Sequence, residues 1–343
     1  MKKTFCIISS IFILSSACLI SAQTAPITVR ELPSINLKKH IPSGSYSGIT
    51  RISGDLYAVV SDSETRDGFY LFNIRLDEES GELLSIENSG FYSSQSSGRD
   101  SECVAYNSKR GTIYVGGEKN NSIVEYDIRG NSTGSRSSNL FPYSRANLGM
   151  ESLCYDPSTN MLWSISESTL SSDNEGNYST ATNGVSNMLR LTCFDTNFKK
   201  VREYAYLMDS PENMKKASRY AMGVSELCAL PDGRLLVLER EAFIPTMRFG
   251  AWCNCKLYIV SPSTSQPITD ERPLSPSSKF MFKSLLWSTK TYMSFNGFNW
   301  ANYEGMCLGP VLKDGSQTIL LISDSQDRYK GVLQDWLKIL IIK

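Results

Sequence analysis

Short apolar runs that close on an acid recur five times along the chain: Leu56 to Asp62, Ile113 to Glu118, Leu162 to Glu167, Leu235 to Glu239 and Ile319 to Asp324. About ten residues before each lies a shorter segment: Ser47-Gly48-Ile49, Glu102-Cys103-Val104, Glu151-Ser152-Leu153, Glu226-Leu227-Cys228 and Glu304-Gly305-Met306. Between the two stand residues that reverse a chain cheaply, such as Ser53-Gly54-Asp55, Lys109-Arg110-Gly111, Pro231-Asp232-Gly233 and Lys313-Asp314-Gly315. Each unit therefore reads as strand, turn, strand.

Further apolar or alternating runs follow the units, at Gly68 to Arg75, Ser122 to Ile128, Met188 to Phe194 with Val201 to Leu207, Lys256 to Val260 with Phe280 to Trp287, and Val332 to Ile342. That supplies three or four strands per unit. Repetition of such sheets predicts an all-β fold, a β-propeller with five units visible and five or six blades. Its ring leaves only short protected edges, so many strands can coexist in one soluble chain. The last unit is one strand short, and Ile27 to Leu32 is expected to complete it and close the ring. The unit starts at Ser47, Glu102, Glu151, Glu226 and Glu304 are 55, 49, 75 and 78 residues apart. The extra length falls in the stretch 168–187, a short helix expected at 211–219, and the Pro/Ser stretch 261–278.

Ahead of the repeats, Lys2 and Lys3 precede an apolar run from Phe5 to Ile20, followed by the small residues Ser21 and Ala22. This pattern predicts a signal peptide over 1–22 and a single propeller domain over 23–343. Export to the periplasm or beyond is expected, with no membrane span in the remainder. Lipidation at Cys18 is the weaker alternative, because Ser15 and the apolar Leu19-Ile20 depart from a lipoprotein signal.

The 343 residues hold 35 Lys+Arg against 35 Asp+Glu. With no basic excess, a nucleic-acid partner is excluded as a leading expectation. Cys103, Cys154, Cys228 and Cys307 fall at near-equivalent places in different units and read as small core residues. Cys253 and Cys255 are too close for an easy mutual bridge, and the lone His40 lies far from them, so a zinc site is not expected.

In an antiparallel hairpin, the start of the first strand and the end of the second lie at the same end. The opening acids Glu102, Glu151, Glu226 and Glu304 and the closing acids Asp62, Glu118, Glu167, Glu239 and Asp324 should therefore gather at one mouth of the central channel. Carboxylates converging without His or Cys suit a hard cation such as Ca²⁺. Arg99, Arg240 and Arg328, which neighbour these acids, could supply the same compensation.

The segments Asn147 to Leu153, Val224 to Arg240 and Tyr303 to Asp324 resemble the phytase-like esterase family of exported bacterial proteins, over about Ser47 to Asp327. The resemblance implies an exported β-propeller with hydrolase activity on phosphate or carboxylic esters. Ser47, Ser152 and Leu227 depart from the commonest family pattern.

An ordinary serine triad is excluded, since His40 is the only histidine and no Gly-x-Ser-x-Gly elbow occurs. Metal-assisted hydrolysis remains. In that reading Glu102, Glu151, Glu226, Glu304, Asp62 and Asp324 are candidate Ca²⁺ ligands, and one of Glu118, Glu167 or Glu239 is the base. Arg240, Arg328 and Arg99 would hold the anionic part of a small-molecule or glycan ester. A lactone or sugar-acid substrate would use the same machinery. The competing reading is a non-catalytic propeller whose loop aromatics Tyr143, Tyr178, Trp252, Phe298 and Trp300 stack on a glycan or peptide, or grip an envelope partner. A monomer is expected in either case.

Overall fold

Strands whose alternate residues are apolar must bury one face, and here each sheet buries both faces against its neighbours. The computed structural model describes residues 27–173, 187–212, 217–247, 250–269, 272–293, 299–326 and 333–343. The expected signal peptide with Cys18, and the residues Tyr178, Phe298 and Arg328, lie outside the described residues.

The chain opens with β1 (Val29–Glu31) and β2 (Ile35–Asn36). Blade 1 follows as β3 (Tyr46–Ser53), β4 (Leu56–Ser61), β5 (Phe69–Leu76) and β6 (Leu83–Tyr92). Blade 2 is β7 (Ser101–Asn107), β8 (Thr112–Gly117), β9 (Ser122–Tyr126) and β10 (Ser132–Arg136). Blade 3 is β11 (Cys154–Asp156), β12 (Met161–Ser164), β13 (Met188–Phe194) and β14 (Lys200–Leu207). Blade 4 is β15 (Arg219–Ala229), β16 (Leu235–Ile244), β17 (Trp252–Val260) and β18 (Lys283–Tyr292). Blade 5 is β19 (Asn302–Val311), β20 (Gln317–Asp324) and β21 (Trp336–Ile342).

Each blade is an antiparallel meander with its strands in chain order, and the innermost strands β3, β7, β11, β15 and β19 touch one another in cyclic sequence, β19 returning to β3. The fold is thus a five-bladed β-propeller. The fourth strand of blade 5 comes from the other end of the chain: β1 pairs antiparallel with β21, Val29 opposite Ile342 and Glu31 opposite Leu340. Of the helix expected at 211–219, residues 213–216 lie outside the described residues, 211–212 and 217–218 are not helical, and Arg219 begins β15. Long β15 pairs with β16 as far as Arg219 and Ile244, and that pairing outweighs local helix propensity.

One apolar core lies between every pair of neighbouring blades. Val60 and Phe69 meet Val104 and Val115 between blades 1 and 2, and Cys103 and Tyr114 meet Leu153 and Leu162 between blades 2 and 3. Leu191 and Tyr206 meet Val224 and Val237 between blades 3 and 4; Leu238 and Leu257 meet Tyr303 and Ile319 between blades 4 and 5. The fifth core closes the circle, with Ile49 and Phe72 against Leu320 and Ile339. At roughly 1.5 to 3 kcal/mol per buried aliphatic or aromatic side chain, these interblade layers are the main stabilising term of the ring. All seven described cysteines are buried and unbridged, and Cys103, Cys154, Cys228 and Cys307 belong to these layers.

The inner strand of blade 1 approaches those of blades 5 and 2 so closely that a side chain would not fit between them. A Cβ at Gly305 would lie 2.9 Å from the Cα of Gly48, and one at Gly48 would lie 2.8 Å from the carbonyl oxygen of Glu102. Gly305→Val should therefore destabilise the protein by about 1 to 3 kcal/mol, the usual penalty for overpacking. A lowered midpoint in urea would show it, and an unchanged midpoint would mean that the strands part without cost.

Candidate functional site

Every inner strand carries one extra residue at the same height. In blade 1 Tyr46 faces Ser61 while Gly48 faces Val60, so Ser47 is the insertion. The same slip falls at Glu102 between the pairs Ser101–Gly117 and Cys103–Gly116, and at Glu304 between Tyr303–Ser323 and Gly305–Ile322. Blade 3 shows it between Met150–Ser166 and Cys154–Trp163, where Glu151 follows Met150. In blade 4 it falls at Ser225, between Val224–Glu239 and Glu226–Leu238. Such β-bulges bend a strand and re-aim the side chain at the insertion.

The register fixes which residues are equivalent. The bulge position holds Ser47, Glu102, Glu151, Ser225 and Glu304, and the residue just past the facing pair on the second strand is Asp62, Glu118, Glu167, Arg240 or Asp324. Blade 4 is the exception, with a serine and an arginine where the other blades have acids. Glu226 and Glu239, which the sequence pattern aligns with the repeat acids, are each displaced by one position along their strands.

That displacement sends both side chains elsewhere. Glu239 accepts from Tyr206 Oη (2.6 Å), Lys283 Nζ (2.5 Å) and the Asp209 amide (3.2 Å), in a network between blades 3 and 4. Glu226 is buried, and its Oε1 accepts from the amides of Leu153 of blade 3 (3.0 Å) and Leu227 of its own strand (2.9 Å). Arg99 is also committed elsewhere: it donates to both carboxylate oxygens of Asp67 (2.8 and 3.1 Å) and to the carbonyls of Ser122 (2.5 Å) and Val115 (2.9 Å), tying blade 1 to blade 2.

The remaining acids do converge. One carboxylate oxygen each from Asp100, Glu102 and Glu118 lies within 4.8 Å of the others, and the same holds for Glu118, Glu151 and Glu167. Glu118 belongs to both triads. Asp100 is the ligand candidate that sequence reading missed, although its place two residues ahead of Glu102 matches that of Asn302 ahead of Glu304. A small residue also precedes each true closing acid, as in Ser61-Asp62, Gly117-Glu118, Ser166-Glu167 and Ser323-Asp324. Glu239 follows Leu238, a signal that would have moved attention to Arg240.

Arg240 is buried among these acids. Its Nη1 donates to Glu304 Oε1 (2.7 Å), its Nη2 to Glu167 Oε1, and Asn302 Nδ2 donates to Glu304 Oε1 as well (2.7 Å). Burial opposes its charge, but Glu167, Glu304 and Glu151 hold it protonated. Burial and mutual repulsion dominate the acids themselves. Burial, then Glu304, Asp62 and Glu118, pushes the Glu102 carboxyl well above the usual range. Glu151 is raised by burial, Glu102 and Glu167, and Asp324 by burial and Glu304. Burial raises Glu167 and Glu304 to about 7, with Arg240 pulling both back down. Glu118 is raised by burial and held back by the Gly149 amide, which donates to its Oε1 at 2.8 Å.

Two cavities flank the cluster. A polar cleft of about 790 Å³ is lined by Asp62, Asp100, Glu118, Lys119, Asn121 and Arg145 among others. A second, of about 320 Å³, opens on the Arg240 side. Among the loop aromatics, Tyr143 is exposed, whereas Trp252 and Trp300 are buried, Trp252 stacking on Phe243 at 5.6 Å, so neither tryptophan presents an open platform for a sugar. His40 is exposed on a single 3₁₀ turn in the N-terminal segment.

The model of the family described as "Phytase-like: Esterase-like activity of phytase" matches residues 41–326. No curated protein matches the chain. Solved structures similar to it include a streptogramin B lyase, at 13% identity and TM-score 0.36 over 92% of this chain and 98% of that one. A structural genomics protein of unknown function from Bacteroides thetaiotaomicron aligns at 9% identity and TM-score 0.38, over 93% of this chain and 76% of that one. A chain of a nidogen/laminin complex aligns at 11% identity and TM-score 0.32, over 73% and 86%.

Two stability measurements follow from the electrostatics. Carboxyls raised to about 7 bind protons more tightly folded than unfolded, where the ordinary value is 4.5. Their stabilising contribution is complete below the unfolded value and is lost as pH rises through the folded one. The metal-free protein should therefore melt at a higher temperature near pH 5 than near pH 8, and a flat profile would contradict the acid crowding. Arg240→Gln should cost about 3 to 5 kcal/mol near pH 8, since it leaves buried charges unpaired, and less near pH 5; denaturant midpoints at the two pH values test this.

Proposed function

The chain belongs to the phytase-like family, and on that premise we propose that it is an ester hydrolase whose reaction centre is the acid cluster at the mouth of its propeller channel. The observation that carries this reading is the pair of carboxylate triads that share Glu118. Eight acids of the mouth, counting Asp62, Glu304 and Asp324 with the five of the triads but not Glu226 or Glu239, would come from blades 1, 2, 3 and 5, with Arg240 of blade 4 as the buried cation among them.

The donors fit a hard divalent cation. They are all carboxylate oxygens, they are crowded enough to raise one another's affinity for protons, and a bound cation would relieve that repulsion. Asp100, Glu102 and Glu118 would hold Ca²⁺, with Glu151 completing the second triad. Bound there, the ion would neutralise the negative oxygen of a phosphate or polarise an ester carbonyl.

The chain's own residues take the other roles. Glu167, a buried carboxylate whose affinity for protons is raised by its surroundings, would accept a proton from water. Arg240 would hold Glu167 in place through its Nη2, and the Gly149 amide would fix Glu118. Lys119 and Arg145, which line the larger cleft, would meet the polar part of the substrate. The signal peptide proposed for 1–22 would place the protein outside the cytoplasm, where even a weak calcium site is filled.

Hydrolysis of p-nitrophenyl acetate, butyrate and phosphate, in calcium and then in chelator, tests the proposal. Glu167→Gln should remain folded and lose roughly 10²- to 10⁴-fold in kcat, the usual range for a lost acid–base group, and Glu118→Gln should remain folded and lose turnover together with calcium binding. Turnover that survives the chelator would remove the metal from the reaction. The absence of turnover on every ester would favour a binding propeller.

A further inference from the structure

The smaller cavity beside the acid cluster differs from the larger cleft in the chemistry of its walls. Tyr220, Ala221, Ala242, Ile244, Trp300 and Leu333 supply apolar surface, and Cys253 adds a buried thiol. The space exists because the wall residues of blade 4 are small: Ala221 stands opposite Ala242, and Ala242 opposite Cys253, across β15, β16 and β17. A row of larger residues there would fill it.

Besides Arg219, the polar residues of this cavity are coupled to the acid cluster. Arg240 and Asn302 both line it, and both donate to Glu304 Oε1 at 2.7 Å. Gln326 lines it as well, and its amide donates to Asp324 Oδ1 at 2.7 Å. Arg240 also has an unmet donor: its Nε is buried and has no hydrogen-bond partner among the described residues. A buried donor left unpaired costs about 1 to 3 kcal/mol, so an acceptor brought in by a ligand would find it ready.

We propose that this cavity receives the apolar acyl group of the substrate, with an ester oxygen accepting from Arg240 Nε, so that the enzyme acts on carboxylic esters of medium-length or aryl acids. The proposal rests on the hydrolase reading for its chemistry and on the cavity for its specificity. About 320 Å³ accommodates a phenyl or short alkyl chain but not a large glycan.

The test uses the full mature chain, with two readouts. The first is kcat/KM for p-nitrophenyl acetate, butyrate and hexanoate, which share one leaving group. Hexanoate should exceed acetate by about tenfold or more, since each methylene entering an apolar pocket contributes a sizeable factor. Ala242→Phe, which fills the cavity, should collapse that ratio toward one. The second readout is calorimetric binding of 4-phenylbutyrate, which needs no turnover and should be lost in Ala242→Phe. Binding without turnover of any ester would retain the cavity proposal and overturn the hydrolase reading. Turnover with no chain-length preference, together with no 4-phenylbutyrate binding, would overturn the cavity proposal alone. Ala221→Leu narrows the same space from the neighbouring strand, and keeps the proposal falsifiable should Ala242→Phe fail to fold.

Discussion

Carboxylates drawn out of water repel one another, and at the mouth of this propeller the repulsion is met from within the fold by Arg240. Its guanidinium reaches Glu167 of blade 3 on one side and Glu304 of blade 5 on the other. The three blades are therefore tied at their tips by charge as well as by their apolar layers. Glu102, Glu118 and Glu151 lie further round the ring, beyond its hydrogen bonds, and their raised affinity for protons expresses the balance that remains. A ring stable enough to be held by its interblade cores can tolerate such unfavourable crowding at one end.

The crowding depends on backbone geometry. A one-residue bulge at the same height in all five inner strands presents the opening residue to the channel, and the register then decides what each blade contributes. Blade 4 presents Ser225 and Arg240, and its acids Glu226 and Glu239 each stand one residue away. Glu226 satisfies two backbone amides below the mouth, and Glu239 anchors Tyr206 and Lys283 between blades. The same residue types thus satisfy backbone and interblade partners in one blade and form the carboxylate cluster in others.

The mouth is divided by this asymmetry. Blades 2 and 3 carry the two carboxylate triads, next to a polar cleft reached by Lys119 and Arg145. Blades 4 and 5 carry the small-residue wall and the apolar cavity. Arg240 stands at the boundary, bonded to acids through its terminal nitrogens and lining the cavity. In the reading developed above, one side of the mouth polarises and hydrolyses while the other measures the acyl group.

Much of the fold was written in the periodicity of the chain, because strand pairing needs only local alternation and turn residues to show itself. The five hairpins, the strand borrowed from Ile27 to Leu32 and the buried cysteines could all be read that way. Of the helix expected at 211–219, Arg219 is drawn into the pairing of β15 and residues 213–216 lie outside the described residues. The acid-rich mouth was also legible, since a hairpin brings its two ends together. Sequence could not decide which acids share it, as a shift of one residue turns a side chain to the opposite face of a strand. Only the tertiary register, set by five bulges packed round one axis, separated Glu226 and Glu239 from the cluster, added Asp100 and put Arg240 among the acids.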